Sequence, residues 1–447
     1  MAMNMTAIPG SSPLTHRSVL AIAVPIMMSN LSEPLIGVVD TAILGQLGDA
    51  HYIGAIAVGG IIFNFLFWSF GFLRMGTSGM TAQASGAQDN QELRAILGRA
   101  LLIAGVCGSA MVLLAPLISI LAFWLVEGSA EVESHAETYF NIRIWSAPAA
   151  LANYAFLGWF IGMGRAHIAF VLQILLNVTN TVLDAFFVMA LDMGVEGVAT
   201  GTVIAQYLAA AFGAWFVLRE LSGRTGFWSW AAITLRAQLK RTVAVNIDIL
   251  LRSLCLLFAF AWFTAQGAKS GDIVLAANAV LFSLLMLVFY FIDGFAFAAE
   301  TLTGQSAGAR QLSRFSRSVR LSSLWAAGVS IALSVGLWIL GGWGINLLTV
   351  NPEVREVAHI YLPWIVIAPV VAITCFLFDG IFIGVTRTRD MRNMMFISTA
   401  VYLAAWWVLT GLYGNHGLWA ALMVFFVVRG VTLGARYPAL VRATFPS

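Results

Sequence analysis

Twelve apolar stretches along the 447 residues are each long enough to cross a hydrocarbon layer as a helix, which takes about 20 residues at 1.5 Å per residue. They fall at 18–45, 53–83, 95–125, 138–164, 167–191, 195–219, 243–267, 272–303, 317–343, 357–385, 393–413 and 416–437. Only helices and closed barrels satisfy every backbone group in lipid, and runs of this length select helices. The chain is 60% apolar and 10% charged, against about 25% charged in soluble domains, so a large soluble enzyme is excluded. The expected fold is an all-α integral membrane protein of twelve transmembrane helices. The segment before Ser18 is short and polar and the run after it is too long for a signal peptide, so the first helix is expected to be retained.

Basic residues orient the bundle. Clusters such as Arg236, Lys240 and Arg241, or Arg310, Arg314, Arg317 and Arg320, fall on the side of the N-terminus, whereas Glu127, Glu131, Glu133 and Glu137 gather opposite. The positive-inside rule then places both termini in the cytoplasm of a multi-pass protein of the inner (plasma) membrane. An internal repeat divides the chain. TAQASGAQ (residues 81–88) matches TGQSAGAR (303–310), and GWFIGMGR (158–165) matches GIFIGVTR (380–387), both at a shift of 222, while Gly194-x-x-Gly197 resembles Gly414-x-x-Gly417 at 220. The predicted organisation is a six-helix lobe over 1–219, a basic cytoplasmic linker over 220–241 and a second six-helix lobe over 242–447. Six is even, so the lobes insert in the same sense and should be related by a pseudo-two-fold along the membrane normal.

Charged residues inside such runs are costly and mark candidate sites. Asp40 lies about 8 Å from the external end of span 1 and Asp184 about 11 Å from that of span 5, by helical rise. Asn177, Asn180 and Asp184 share one helix face; Thr200 and Thr202 approach the same level, and Asn153 lies deeper. Two acids in low dielectric repel as a pair of anions, so the group suits a proton or a small cation; the alternative is a hydrogen-bonded lock between helices. A second set, Asp248, Arg252, Asp293, Glu300 and Asp379, occupies the inner half of the second lobe, and Arg74 on span 2 reaches the same level. It reads as an ion-paired structural or gating network, with Asp248 and Arg252 one turn apart, or as a binding site. Pro25 and Pro34 kink the helix that carries Asp40, either statically or as part of a bending switch. The many Phe, Met and Trp side chains suit varied flat cations, although most must face lipid or neighbouring helices. Cys107, Cys255 and Cys375 show no pairing or metal spacing, the histidines do not cluster, and no Walker A, HExxH or GxSxG motif occurs. Neither a nucleotide-driven pump nor an enzyme is expected, and no metal, cofactor or nucleic-acid partner is called for.

The stretches AVPIMMSNLSEPLIGVVDTAILGQLG, FLRMGTSGMTAQASGA, LNVTNTVLDAFFVM, DGFAFAAETLTGQSAGA and DGIFIGVTRTRDMRN resemble those of multidrug and toxic compound extrusion (MATE) transporters, specifically the DinF branch. The resemblance covers nearly the whole chain. It implies two six-helix lobes in a V around a central cavity, acting as a monomer in the bilayer and exporting organic cations or other amphipathic drugs by alternating access. It further implies H+ as the coupling ion, with Asp40 and Asp184 as the coupling pair, Asn180 as their neighbour and Thr202 beside them. Na+ coupling within the family and a lipid-linked flippase of the wider superfamily are the alternatives.

Overall fold

The computed structural model describes residues 14–45, 50–125 and 129–446; for residues 33–42 and at a few helix ends it describes the backbone path alone. Among these residues the chain forms helices and no strand. The first half holds α1 (His16–Gly45), α2 (Ala50–Ser69), α3 (Phe72–Gly86), α4 (Asn90–Leu113), α5 (Ala115–Leu125), α6 (Ala130–Arg143), α7 (Ala147–Gly162), α8 (Ala166–Ala185) and α9 (Val195–Ser222). A short α10 (Trp230–Ile233) precedes α11 (Arg236–Ala268), α12 (Asp272–Gly308), α13 (Leu312–Leu348), α14 (Pro352–Gly384), α15 (Thr388–Tyr413) and α16 (Asn415–Thr444). Eleven helical stretches are long and apolar enough to span a bilayer, and α1, at 30 residues, makes a twelfth.

Three spans of the first half are interrupted, and their sequences explain why. The second pauses at Phe70–Gly71 between α2 and α3. The third breaks at Leu114, just before Pro116, which has no N–H to continue the ladder. The fourth passes through a single tight turn at Ile144–Ser146 and restarts with Pro148 in the first turn of α7, where a missing donor costs nothing. Several second-half helices run beyond the apolar stretches, α11 beginning at Arg236 and α13 spanning Leu312–Leu348. Apolar length marks what lipid must cover, whereas the helix continues into polar ends.

Two compact units emerge. One comprises residues 28–81 and 89–243; the other comprises the chain from Ala244 onward together with 82–88 and α1 up to Met27. The linker is fastened within the first unit. Arg94 of α4 donates to the carbonyls of Leu221, Arg224 and Thr225 at 3.1, 3.0 and 2.8 Å, satisfying carbonyls that the end of α9 leaves open. Arg99 holds the carbonyl of Ala232 at 3.1 Å. Buried tryptophans hold each interior: Trp159 Nε1 donates to the Leu93 carbonyl at 3.0 Å, and Trp419 Nε1 to Asn278 Oδ1 at 2.9 Å.

The sequence repeat is present in the backbone. In the first unit a side chain at Gly158 would run into the carbonyl of Arg74; in the second, one at Gly380 would run into that of Ala296. Both partners differ by the same 222 positions. Arg165 N donates to Phe160 O and Arg387 N to Phe382 O, each at 2.8 Å, closing identical helix ends through left-handed residues Gly164 (φ 74°) and Thr386 (φ 55°). A threonine rarely sits there; it is anchored by Gln83 Nε2, which donates to Thr386 Oγ1 at 3.1 Å. The change of shift from 222 to 220 also has a physical location. After α8 the chain widens into a π-helical turn, Phe186–Ala190, whereas α15 continues unbroken to Tyr413.

Candidate functional site

The polar face of α8 is the centre of the first unit. Gln173, Asn177, Asn180 and Asp184 follow one another at spacings of three or four residues and so line one stripe. Asn177, Asn180 and Asp184 are buried, the last with no exposure at all. Asn180 Nδ2 donates to Asp184 Oδ2 at 2.9 Å and to Thr202 Oγ1 at 3.2 Å. Thr202 donates its own proton to the Val198 carbonyl at 2.9 Å, which leaves its lone pair for Asn180. Further along, Gln173 Nε2 donates to Asn177 Oδ1 at 3.0 Å, and Asn177 Nδ2 donates to Ser32 Oγ at 2.8 Å, joining α8 to α1. A π-helical turn directly follows Asp184; such turns recur at functional sites.

Gly201 of α9 faces the acid. A side chain there would overlap Asp184 Oδ1, so only glycine lets the carboxylate lie against that helix. Gly201→Val is therefore expected to displace the carboxylate and reduce coupled transport by on the order of tenfold or more, as misplacement of about 1 Å at a reacting group can cost 100-fold. Transport assays on the purified variant, with thermal stability as control, check this; unchanged coupling would show that the contact is dispensable.

Of the other residues expected here, Asn153 pairs elsewhere: its Nδ2 donates to Gln206 Oε1 at 2.8 Å, one turn along α9 from Thr202. Thr200, half-buried, makes no side-chain hydrogen bond among the described residues. The side chains of Asp40 and Pro34 lie outside the described residues, though the backbone there continues α1. Pro25 lies within α1, which remains helical through it.

The second unit sorts its charges differently from the expected single network. Asp248 and Arg252 do not pair with each other. Asp248 instead accepts from Arg392 Nη1 at 2.6 Å and from Thr388 Oγ1 at 3.0 Å. Arg252 pairs with Asp379, and Arg429 Nη2 reaches the same Asp379 Oδ2 at 2.6 Å. One turn apart on a helix is permissive for pairing, but α14 and α15 present better-placed partners. Glu300 is buried on α12, while Arg74 and Asp293 are half-buried on α3 and α12. The sequence reading missed Arg429, Gln206, Gln173 and Ser32. Arg429 carried a usable signal, since it stands alone in the apolar run MVFFVVRGVTLG and the argument applied to Asp40 applies equally to it.

The two units differ where the repeat predicts equivalence. The positions 222 residues beyond Asp40 and Asp184 are Trp262 and Trp406, whose rings meet edge to face with centroids 5.0 Å apart. Conversely, the position in the first half that matches Asp379 is Leu157.

Twelve spans in duplicated halves, with a buried acid among amides and hydroxyls, suit a membrane transporter rather than an enzyme. The sequence profile of the MatE family matches twice, over residues 25–186 and 249–406, once in each half. The chain is 41% identical to DNA damage-inducible protein F of Escherichia coli (strain K12) over 419 residues, covering 93% of this chain and 90% of that one. It is 18% identical to the multidrug export protein MepA of Staphylococcus aureus (strain MSSA476) over 408 residues, covering 91% and 90%. Its fold superposes over the full length of both chains on the outward-facing conformation of a multidrug resistance MATE family transporter of the MOP superfamily, with a TM-score of 0.88 at 16% identity. The chain belongs to the MatE family of multidrug efflux transporters.

Proposed function

We propose that the protein exports amphipathic, mostly cationic organic compounds across the inner membrane in exchange for protons, with Asp184 and Asp40 carrying the coupling proton. Asp184 carries the reading: it is fully buried and its Oδ2 is held by the Asn180 amide. Two observations support Asp40 as its partner. Three spans lie between α1 and α8, the first and fifth spans, so the two helices run in the same direction, and the Asn177 to Ser32 bond sets their register. Beyond that bond Asp184 is seven residues on and Asp40 eight, about 11 and 12 Å by helical rise. The adjacency of Trp262 and Trp406 in the other unit supports the same neighbourhood for their repeat equivalents.

Charge balance favours H+ over Na+ at the second unit's acids. Asp379 is shared by two guanidiniums and Asp248 is bound by a third, so the negative charge of each is already met by arginine. The Staphylococcus aureus relative is a multidrug export protein, which supports small-molecule drugs as substrates; in this reading a monomer with both termini cytoplasmic handles them. The decisive measurement is drug-induced proton release from purified protein, alongside efflux from proteoliposomes under a pH gradient or a Na+ gradient alone. Efflux driven by Na+ without a pH gradient would replace the proton by sodium, and movement of lipid-linked sugars without drug efflux would favour the flippase. A bending role for α1 makes a separate prediction. Pro25→Ala and Pro34→Ala restore a helical backbone donor each and are expected to slow coupled efflux several-fold while leaving insertion intact; equal rates would leave the kink static.

A further inference from the structure

The second unit contains a buried ionic cluster whose charges do not balance. Arg252 lies at the middle of α11, Arg429 near the middle of α16, and Asp379 in the last two turns of α14. Both guanidiniums converge through Nη2 on a single oxygen, Asp379 Oδ2. The three residues are 7%, 2% and 5% exposed. Among the described residues neither arginine has a second carboxylate within ion-pair distance, so one negative charge stands against two positive ones.

The unused hydrogen-bonding groups lie in the same cluster. Arg252 Nε, Arg429 Nε and Arg429 Nη1 are buried donors that meet no protein acceptor, and they outnumber the one buried acceptor of the triad left unpaired, Asp379 Oδ1. Other neighbours do not supply the missing charge. The Phe425 ring lies 5.3 Å from the Arg429 guanidinium, a quadrupole and not an anion. The thiol of Cys375, one turn before Asp379, donates to the Ala372 carbonyl at 3.1 Å. A lysine in such a place could shed its proton, but a guanidinium does not. An uncompensated buried charge is among the costliest arrangements a protein holds. A helix lock alone would need only one of the two arginines.

We propose that this triad is a binding site for one monovalent anion, chloride or the carboxylate of an organic compound, taken up by Arg252 Nε and by Nε and Nη1 of Arg429. The site lies in the opposite unit from Asp184. It adds an anionic ligand to a transporter whose coupling group is acidic, and it stands whether or not the coupling ion is a proton.

The test is equilibrium binding of radiolabelled chloride to the purified full-length protein in detergent, with unlabelled chloride and benzoate as competitors. Wild type is expected to bind about one chloride per chain saturably, and Arg429→Met to weaken binding at least tenfold. Asp379→Asn removes the resident anion and is expected to bind chloride more tightly, its melting temperature rising with chloride more steeply than that of wild type. This readout remains even if Arg429→Met does not fold, and a purely structural triad would not produce it. Displacement by benzoate as well as chloride assigns the site to carboxylates in general; displacement by chloride alone assigns it to the inorganic ion. No saturable binding in wild type, binding undiminished in Arg429→Met, or an Asp379→Asn melting temperature indifferent to chloride would overturn the proposal.

Discussion

Asp184→Asn and Asp40→Asn are each expected to leave a folded, inserted protein that still binds drug but releases no proton on doing so and confers no resistance. The amide is nearly isosteric with the carboxyl and keeps an acceptor oxygen, so Asn180 retains its partner at position 184. What is lost is the charge that changes with protonation. Coupling is a difference in drug affinity between protonation states, commonly 1–3 kcal/mol or about 5- to 150-fold. A ligand with equal affinity for both states shifts nothing. The drug affinity of wild type should therefore vary with pH across that range, and that of either variant should be flat. Calorimetric titrations in buffers of different ionisation enthalpy count the protons directly. Undiminished proton release from Asp184→Asn would remove this residue from the mechanism. Loss of release in Asp184→Asn with full release in Asp40→Asn would leave the proton on one acid alone.

The sequence disclosed the fold through constraints that act locally. Lipid thickness sets the length of apolar runs, so the spans were legible. The close crossings at Gly158 and Gly380 demand glycine, so the repeat survives in those positions while its neighbours diverged. Asp184, Asn180 and Asn177 share a face by helical period alone, and that stripe was readable in advance. Partner choice was not. Asp248 pairing with Arg392, and Arg252 with Asp379, depends on how α11, α14, α15 and α16 are rotated against each other. Helix rotation is set by packing over many residues, and no short pattern encodes it. The π-helical turn after Asp184 is similarly silent in FFVMA and shows only as a two-residue change of repeat shift.

Asp379→Leu is expected to be among the most destabilising single substitutions in the chain. It removes the only carboxylate that, among the described residues, the buried guanidiniums of Arg252 and Arg429 share and leaves two like charges facing each other in a low dielectric. Removing one partner of a buried ion pair typically costs about 3–5 kcal/mol. Here two charges are stranded together, so the upper end of that range applies, and chloride-free buffer should expose the full effect. The same physics predicts a rescue. Replacing all three residues at once, with Arg252→Met, Asp379→Leu and Arg429→Met, removes every charge that was costly to bury and fills the space with side chains of similar length. Such replacements of buried ionic clusters are often neutral or stabilising, so the triple variant should unfold at or above the temperature of wild type. Thermal unfolding of the single and triple variants in one detergent checks both halves of the argument. A loss under about 1 kcal/mol for Asp379→Leu would mean that water reaches the triad, because only solvation can hold two guanidiniums together at so little cost.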